Sequence, residues 1–204
     1  MKLPGQFSSW DALYQNWGDE DMPWFYAELD PDVDAALKKL KIERGAILDI
    51  GTGTGSQAIA LAKRGFQVTA TDISLMAVVD AQTKAAREKV EIDFRQDDIL
   101  KTELGNEFDV VLDRGCFHVF DEDERLTYLT AIYAIVKAQG YLFLKCFSHK
   151  EPGEEGPNRF SPAQITEQFS PHFLIESIDE TVYYGTRDPL PQALFCVMRK
   201  NSTR

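Results

Sequence analysis

Glycines at every second position, Gly51, Gly53 and Gly55, follow directly on the apolar run Ala46-Ile47-Leu48-Asp49-Ile50. No other feature constrains the fold of this chain as tightly. The run reads as a buried strand, and the spacing of Ala58, Ile59, Leu61 and Ala62 just beyond predicts a helix. Glycine permits positive φ in a sharp strand-to-helix turn, and its missing Cβ lets a ligand touch the backbone. The first turn of the helix adds unpaired N–H groups and the positive end of a dipole. Such a turn favours nucleotide-like ligands, and the acidic residues around it make a purely structural turn the weaker reading.

Upstream, Trp10, Leu13, Tyr14 and Trp17 recur at helical spacing behind a Ser8 or Ser9 cap, and Asp30-Pro31 opens a second helix bearing Val33, Ala36, Leu37 and Leu40. Seven aromatics in the first 26 residues serve either to staple these helices to the core or to cover a cleft. Downstream, Phe66–Thr71 reads as a strand ending in Asp72, and Ser74 caps a helix to about Lys89. Val90–Arg95 reads as a third strand stopping at Gln96-Asp97-Asp98-Ile99, and Phe108–Leu112 as a fourth ending in Asp113. A helix over Glu122–Lys137 and a strand over Tyr141–Phe147 complete the alternation, which implies a parallel sheet with right-handed crossovers. Acids therefore gather at the carboxyl ends of successive strands: Asp49, Asp72, Asp97/Asp98 and Asp113. That edge is where open α/β sheets bind ligands, and Asp72, twenty-one residues past Gly51, stands where a ribose-binding carboxylate belongs. The last quarter holds a Gly/Pro/Glu-rich loop (149–158), a helix (Ala163–Phe169) and strand-like runs over Phe173–Tyr184 and Ala193–Met198. The short link between those runs makes them antiparallel, so the sheet ends with a reversed strand.

Composition narrows the partners. The 204 residues suit one domain, and a net charge of -11 without a basic stripe argues against nucleic acid or an anionic membrane. Three separated cysteines, Cys116, Cys146 and Cys196, read as reduced thiols of a cytoplasmic protein. Met1–Gln6 lacks an apolar signal core, and three scattered histidines predict no metal site.

Asp49-Ile-Gly51-Thr-Gly53-Thr-Gly55 resembles the first motif of the class I S-adenosylmethionine-dependent methyltransferases. Asp72 falls where that family binds the ribose hydroxyls, and Gln96-Asp97-Asp98-Ile99 resembles its adenine segment. The resemblance covers roughly residues 45–200. It implies a three-layer, doubly wound α/β fold of the Rossmann-like type, with a mostly parallel seven-stranded sheet and an antiparallel C-terminal strand. Residues 1–44 would form a helical, aromatic cover, 45–147 the cofactor-binding core, and 148–204 a loop, helix and hairpin, all in one domain. A cofactor site built from Trp24, Asp49, Gly51, Thr52, Gly53 and Gly55 is implied, joined by Asp72, Ile73, Asp97, Asp98, Ile99 and Asp113. The family's usual Gly before the adenine acid is Asp97 here, which leaves Asp97 and Asp98 open for that role. Trp10-Asp-Ala-Leu-Tyr14, Met22-Pro23-Trp24, Phe108–Gly115 and Arg159-Phe160-Ser161-Pro162 are similar to the branch acting on thiols, halides, thiopurines and tellurite.

This implies methyl transfer to a small-molecule acceptor, preferably a soft nucleophile, by a monomer or weak dimer. Trp10, Tyr14, Trp24 and Phe25 are candidates to face the sulfonium charge. A soft anion needs no base; for a hydroxyl or amine acceptor, His118 is the best-placed base, although a structural hydrogen-bonding role fits it better. Arg114 either orients an anionic substrate or pairs with Asp113. Methyl transfer needs no Cys116 nucleophile. O- or N-methyl transfer is the alternative. A nicotinamide-dependent oxidoreductase shares the glycine turn and the acid on the second strand, but not Asp49 before the turn. A cofactor-binding module without turnover is the remaining rival.

Overall fold

A computed structural model describes residues 7–153 and 155–201; Met1–Gln6, read above as lacking an apolar leader, lie outside them. Helices α1 (Trp10–Asn16) and α2 (Pro31–Leu40) precede the alternating core. The core runs β1 (Ala46–Ile50), α3 (Ser56–Lys63), β2 (Gln67–Asp72), α4 (Leu75–Glu88) and β3 (Asp93–Gln96). It continues through β4 (Phe108–Arg114), α5 (Glu122–Ile135) and β5 (Val136–Ser148). A two-residue β6 (Arg159–Phe160), α6 (Pro162–Phe169), β7 (Phe173–Val182) and β8 (Gln192–Lys200) close the chain.

The sheet order is β3-β2-β1-β4-β5-β8-β7, with β6 beside the end of β5. β1 to β5 pair in parallel, and β8 is antiparallel to both β5 and β7. This is the mostly parallel α/β fold expected, with the short β6 as an eighth strand. The reversed strand lies inside the sheet, between β5 and β7, and not at its edge. Its side chains show why: Ala193 through Met198 are all buried, whereas β7 alternates with exposed positions, as an edge strand does. The order reverses at β1/β4, so the crevice beyond their carboxyl ends is the topological site for a ligand.

Strand periodicity divides the core. Ile47 packs with Val33 and Leu37 of α2 and with Ala58 and Leu61 of α3. Leu48 and Ile50 turn to the opposite face, with Tyr128, Leu129 and Ile132 of α5 and Ile165 and Phe169 of α6. Each such Leu, Ile or Phe contributes about 1.5–3 kcal/mol on burial. Helix starts follow local chemistry: Ser74 Oγ accepts from Ala77 N at 3.2 Å, and Asp121 with Glu124 and Ser161 with Gln164 form capping boxes. Two boundaries differ from the periodicity. α5 stops at Ile135 and β5 begins at once, its register slipping between Phe108 and Val110 where Gln139 takes φ 62. β3 is confined to four residues. Among the described residues no helix is long and apolar enough to cross a membrane.

Candidate active site

The glycine turn closes onto Asp72. Gly53 N donates to Asp72 Oδ2 and Ser74 N to Oδ1, both at 2.9 Å, so the loop after β1 and the helix after β2 share one buried carboxylate. Two glycines here are obligatory. Gly53 has φ 56, and a Cβ on it would stand 2.9 Å from the Tyr14 hydroxyl. Gly55, at φ 82, would drive a Cβ to 2.8 Å from Ala81 Cβ, so its role is to let α3 and α4 approach. Burial pushes the Asp72 carboxyl up to about 6, opposed by the Ser74 and Gly53 N–H groups. Asp49 is buried beside it, accepting from Thr52 Oγ1 at 2.6 Å; burial raises it to about 7.

A cavity of about 860 Å3 opens beyond these strand ends. Trp10, Tyr14, Trp24, Gly51, Asp72 and Ile73 line one end, with Asp97, Asp98 and Ile99 beside them. A smaller recess of about 40 Å3 adjoins the glycine turn, bounded by Phe25, Asp49, Thr52, Gly53 and Arg114 among others. Asp98 is engaged by Leu100 N at 3.1 Å and Lys101 Nζ at 3.2 Å. Asp97 Oδ2, by contrast, is buried with no partner. An orphaned carboxylate oxygen calls for an outside donor, and an adenine amino group supplies one. This end of the cavity therefore fits a sulfonium nucleoside.

The aromatic segment is tied over the cavity by charge. Arg114 Nε donates to Asp30 Oδ2 at 2.8 Å, NH1 to the Trp24 carbonyl at 2.8 Å, and NH2 to the Tyr184 carbonyl. Lys145, fully buried in the middle of β5, donates to both Asp30 oxygens and to Asp32 Oδ2, each at 2.7 Å. Burial pulls its ammonium down, and the two carboxylates oppose the shift. Gln57, in the first turn of α3, donates to the Tyr26 and Glu28 carbonyls and accepts from Asp30 N. Asp11 accepts from Ser74 Oγ at 2.6 Å, fixing α1 on the start of α4.

The other end of the cavity is built by the segment after β4, the 149–159 loop and the 183–191 turn. Val119, Phe120, Phe147, Pro157 and Pro191 supply its apolar wall. Arg159 holds the loop together by donating to the Glu151, Pro152, Glu155 and Pro157 carbonyls. Asn158 ties it to β4's extension through the His118 and Phe120 carbonyls. His118 lines this chamber; its Nδ1 accepts from Phe147 N at 3.2 Å. Burial, reinforced by Arg114 and Arg159, lowers the imidazole to about 3, so it is neutral and carries its proton on Nε2. Cys116 also faces the cavity, and burial with the nearby carboxylates pushes its thiol well above the usual range.

Most residues expected at the cofactor do meet in this crevice. Gly55 and Asp113 line neither cavity. Asp113 is instead consumed by Gly115 N, Cys116 N, Phe117 N and the Tyr128 hydroxyl, and so shapes the turn after β4. Burial still raises it to about 6. Arg114 does not pair with Asp113; its carboxylate partner is Asp30. Arg114 is a tie between Asp30 and the Trp24 and Tyr184 carbonyls, and the His118 ring has Nδ1 engaged by Phe147 N. Sequence reading placed the stretch near Tyr183-Tyr184 at the acceptor pocket and took Asp30 only as the opening of a helix, but passed over Gln57 and Lys145. A lysine inside the apolar run Tyr141–Phe147 was the one visible signal.

Residues 47–140 match the model of a methyltransferase domain. An uncharacterized methyltransferase of Schizosaccharomyces pombe is 31% identical over 122 residues, 57% of this chain and 84% of that protein. A methyltransferase of Geobacillus sp. (strain WCH70) is 37% identical over 117 residues, 54% of this chain, and the match spans only 47% of that protein's length. A solved structure reported for the conversion of a disulfide bond into a thioacetal group during echinomycin biosynthesis superposes with a TM-score of 0.81. It is 27% identical, covering 95% of this chain and 92% of the other. The chain belongs to the class I S-adenosylmethionine-dependent methyltransferases. S-adenosylmethionine is accordingly the cofactor.

Proposed function

We propose that this protein transfers a methyl group to a sulfur atom of a small organic acceptor, without a general base. One observation carries the reading: the imidazole facing the acceptor chamber has Nδ1 committed to Phe147 N–H and is held neutral, so it has no lone pair to offer a proton. A hydroxyl acceptor needs such a base to attack, and an amine needs one to shed its proton; a thiolate or a neutral thioether sulfur needs neither. The 27% identical structure, reported for chemistry at a disulfide, supports sulfur. The cavity of about 860 Å3 holds cofactor and acceptor together, and the apolar wall of Val119, Phe120, Phe147, Pro157 and Pro191 at its far end favours an organic acceptor over a halide or tellurite. Glu151 and Glu155 also line the chamber, but Glu151 accepts from Gln192 N at 2.7 Å and Glu155 is exposed at the rim.

S-adenosylmethionine, when bound, supplies a sulfonium methyl carbon that a sulfur lone pair attacks, one C–S bond forming as another breaks. The residues around it align the partners and exclude water. The Gly51 backbone, with Asp49 beside the small recess, would take the zwitterionic end. Asp72 uses its remaining lone pairs for the ribose hydroxyls. Asp97 Oδ2 would take the adenine amino group, with Ile73 and Ile99 lining the same end and Asp98 turned to Leu100 and Lys101. Trp10, Tyr14 and Trp24 present ring faces to the sulfonium charge. The test is cofactor turnover against thiols, iodide, tellurite, phenols and amines. Organic thiols are expected to be methylated fastest; turnover confined to phenols and amines contradicts the proposal.

A further inference from the structure

We infer that the Nε2–H of His118 is a recognition donor that selects, among organic sulfur compounds, those carrying a hydrogen-bond-accepting atom close to the reacting sulfur. The inference rests on the sulfur-methylation reading and narrows it from an element to a class of molecule.

The ring is immobilised from every side. Its Nδ1 accepts from Phe147 N, Tyr183 stacks on it at 5.9 Å and 22°, Phe147 meets it edge-on at 5.0 Å, and the His118 backbone carbonyl accepts from Asn158 N at 2.7 Å. Nε2 is bonded to none of the described residues, although the ring lines the cavity. Nε2 and the Tyr183 hydroxyl both stand over Gly115, whose φ is +103. A Cβ on Gly115 would collide with that hydroxyl and come within 3.1 Å of Nε2. The bare Cα therefore lets the Tyr183 hydroxyl and the imidazole edge close in at this point of an otherwise apolar wall. The Tyr183 proton is already committed to the Arg114 carbonyl at 2.5 Å, so the proton on offer at this pole is that of Nε2.

The groups facing the imidazole hold it in this form. Arg114 and Cys116 lie on its own segment, with Asp113 below; Tyr183 comes from the end of β7, and Arg159 and Glu151 from the loop. Both guanidiniums oppose protonation, and no carboxylate touches the ring. A buried donor left unpaired disfavours any acceptor that lacks a matching atom. A halide ion has no second atom to meet it once it faces the methyl group.

Benzenethiol and methyl 2-sulfanylbenzoate test this directly, since both ionise readily and the second adds an ester carbonyl beside the sulfur. The wild-type kcat/KM is expected to favour the ester by about tenfold, the worth of one good hydrogen bond. His118→Phe should lose ester turnover at least about tenfold more than benzenethiol turnover, and His118→Gln, which keeps an N–H, should recover part of the preference. S-adenosylhomocysteine binding checks that each variant is folded; if His118→Phe fails that check, the wild-type preference and His118→Gln decide. Equal wild-type rates for the two thiols overturn the donor role and leave sulfur methylation standing. A preference that survives in a folded His118→Phe overturns it as well. Turnover of neither thiol, beside turnover of a phenol or amine, overturns both readings.

Discussion

The two ends of the cavity are built in different ways. The end we propose for the cofactor is made of strand termini: Gly53, Asp72, Asp97 and Asp98 stand within a few residues of β1, β2 and β3, and backbone hydrogen bonds hold them. The acceptor end is made of connecting segments from three distant parts of the chain, held by side chains such as Arg114, Asn158 and Arg159. A sheet fixes geometry by register, whereas a loop needs its own ties. The first end is therefore set by strand register and the second by side-chain ties between loops.

The seam between the ends is the place to strike hardest. Asp30→Ala removes the carboxylate shared by Lys145 and Arg114, leaving a buried ammonium with only Asp32 beside it. Denaturant unfolding is expected to report a loss of about 3–5 kcal/mol; a loss under about 1 kcal/mol means the halves are joined by packing alone. A pair of variants then separates the ends. Asp72→Ala should weaken S-adenosylhomocysteine about a hundredfold by calorimetry, since it frees the Gly53 N–H as well as removing the ribose partner. Gly115→Ala should cost at least about tenfold in kcat/KM while changing cofactor affinity far less, because the added Cβ meets Tyr183 and His118. Equal losses of affinity in both would erase the distinction between the ends.

A smaller effect comes from protons. Asp49, Asp72 and Asp113 have folded-state values of about 7, 6 and 6, above the ordinary 3.8. A carboxyl raised on folding contributes stability that is full below its unfolded value and lost as pH rises through the folded one. The ligand-free protein is therefore expected to lose stability from these groups between about pH 4 and 7. His118, lowered to about 3, acts oppositely and loses its contribution below its ordinary 6.5. Asp49→Asn should raise the pH 8 melting temperature by a few degrees, on the order of 1 kcal/mol, with the gain shrinking toward pH 5. A gain that does not depend on pH contradicts the assignment. Smallest of all, Thr186→Val removes one 3.2 Å bond to the Met22 carbonyl, and should cost about 0.5–1 kcal/mol of stability.

How much could be read from the chain follows the same division. Period-two and helical spacing located β1, β2, β4 and the glycine turn, because each is encoded by neighbours in sequence. The row of acids was visible because strand ends in a parallel sheet share an edge. Gly55 and Asp113 show the boundary of that reasoning. The spacing that marks a motif does not say whether a glycine serves a ligand or Ala81, or whether an acid faces a cavity or its own following turn. Asp30 meets Lys145 across 115 positions and His118 meets Phe147 across 29, and no local pattern announces either. The interior position of β8 was also illegible, although its unbroken buried run carried the reason.

The pH dependence of kcat/KM for two thiols of well-separated acidity tests base-free transfer most directly. The account predicts one ascending limb for each, placed at that thiol's own pKa and unmoved in His118→Gln. A limb at one fixed pH for both thiols, abolished by His118→Gln, would mean that the protein supplies the base after all.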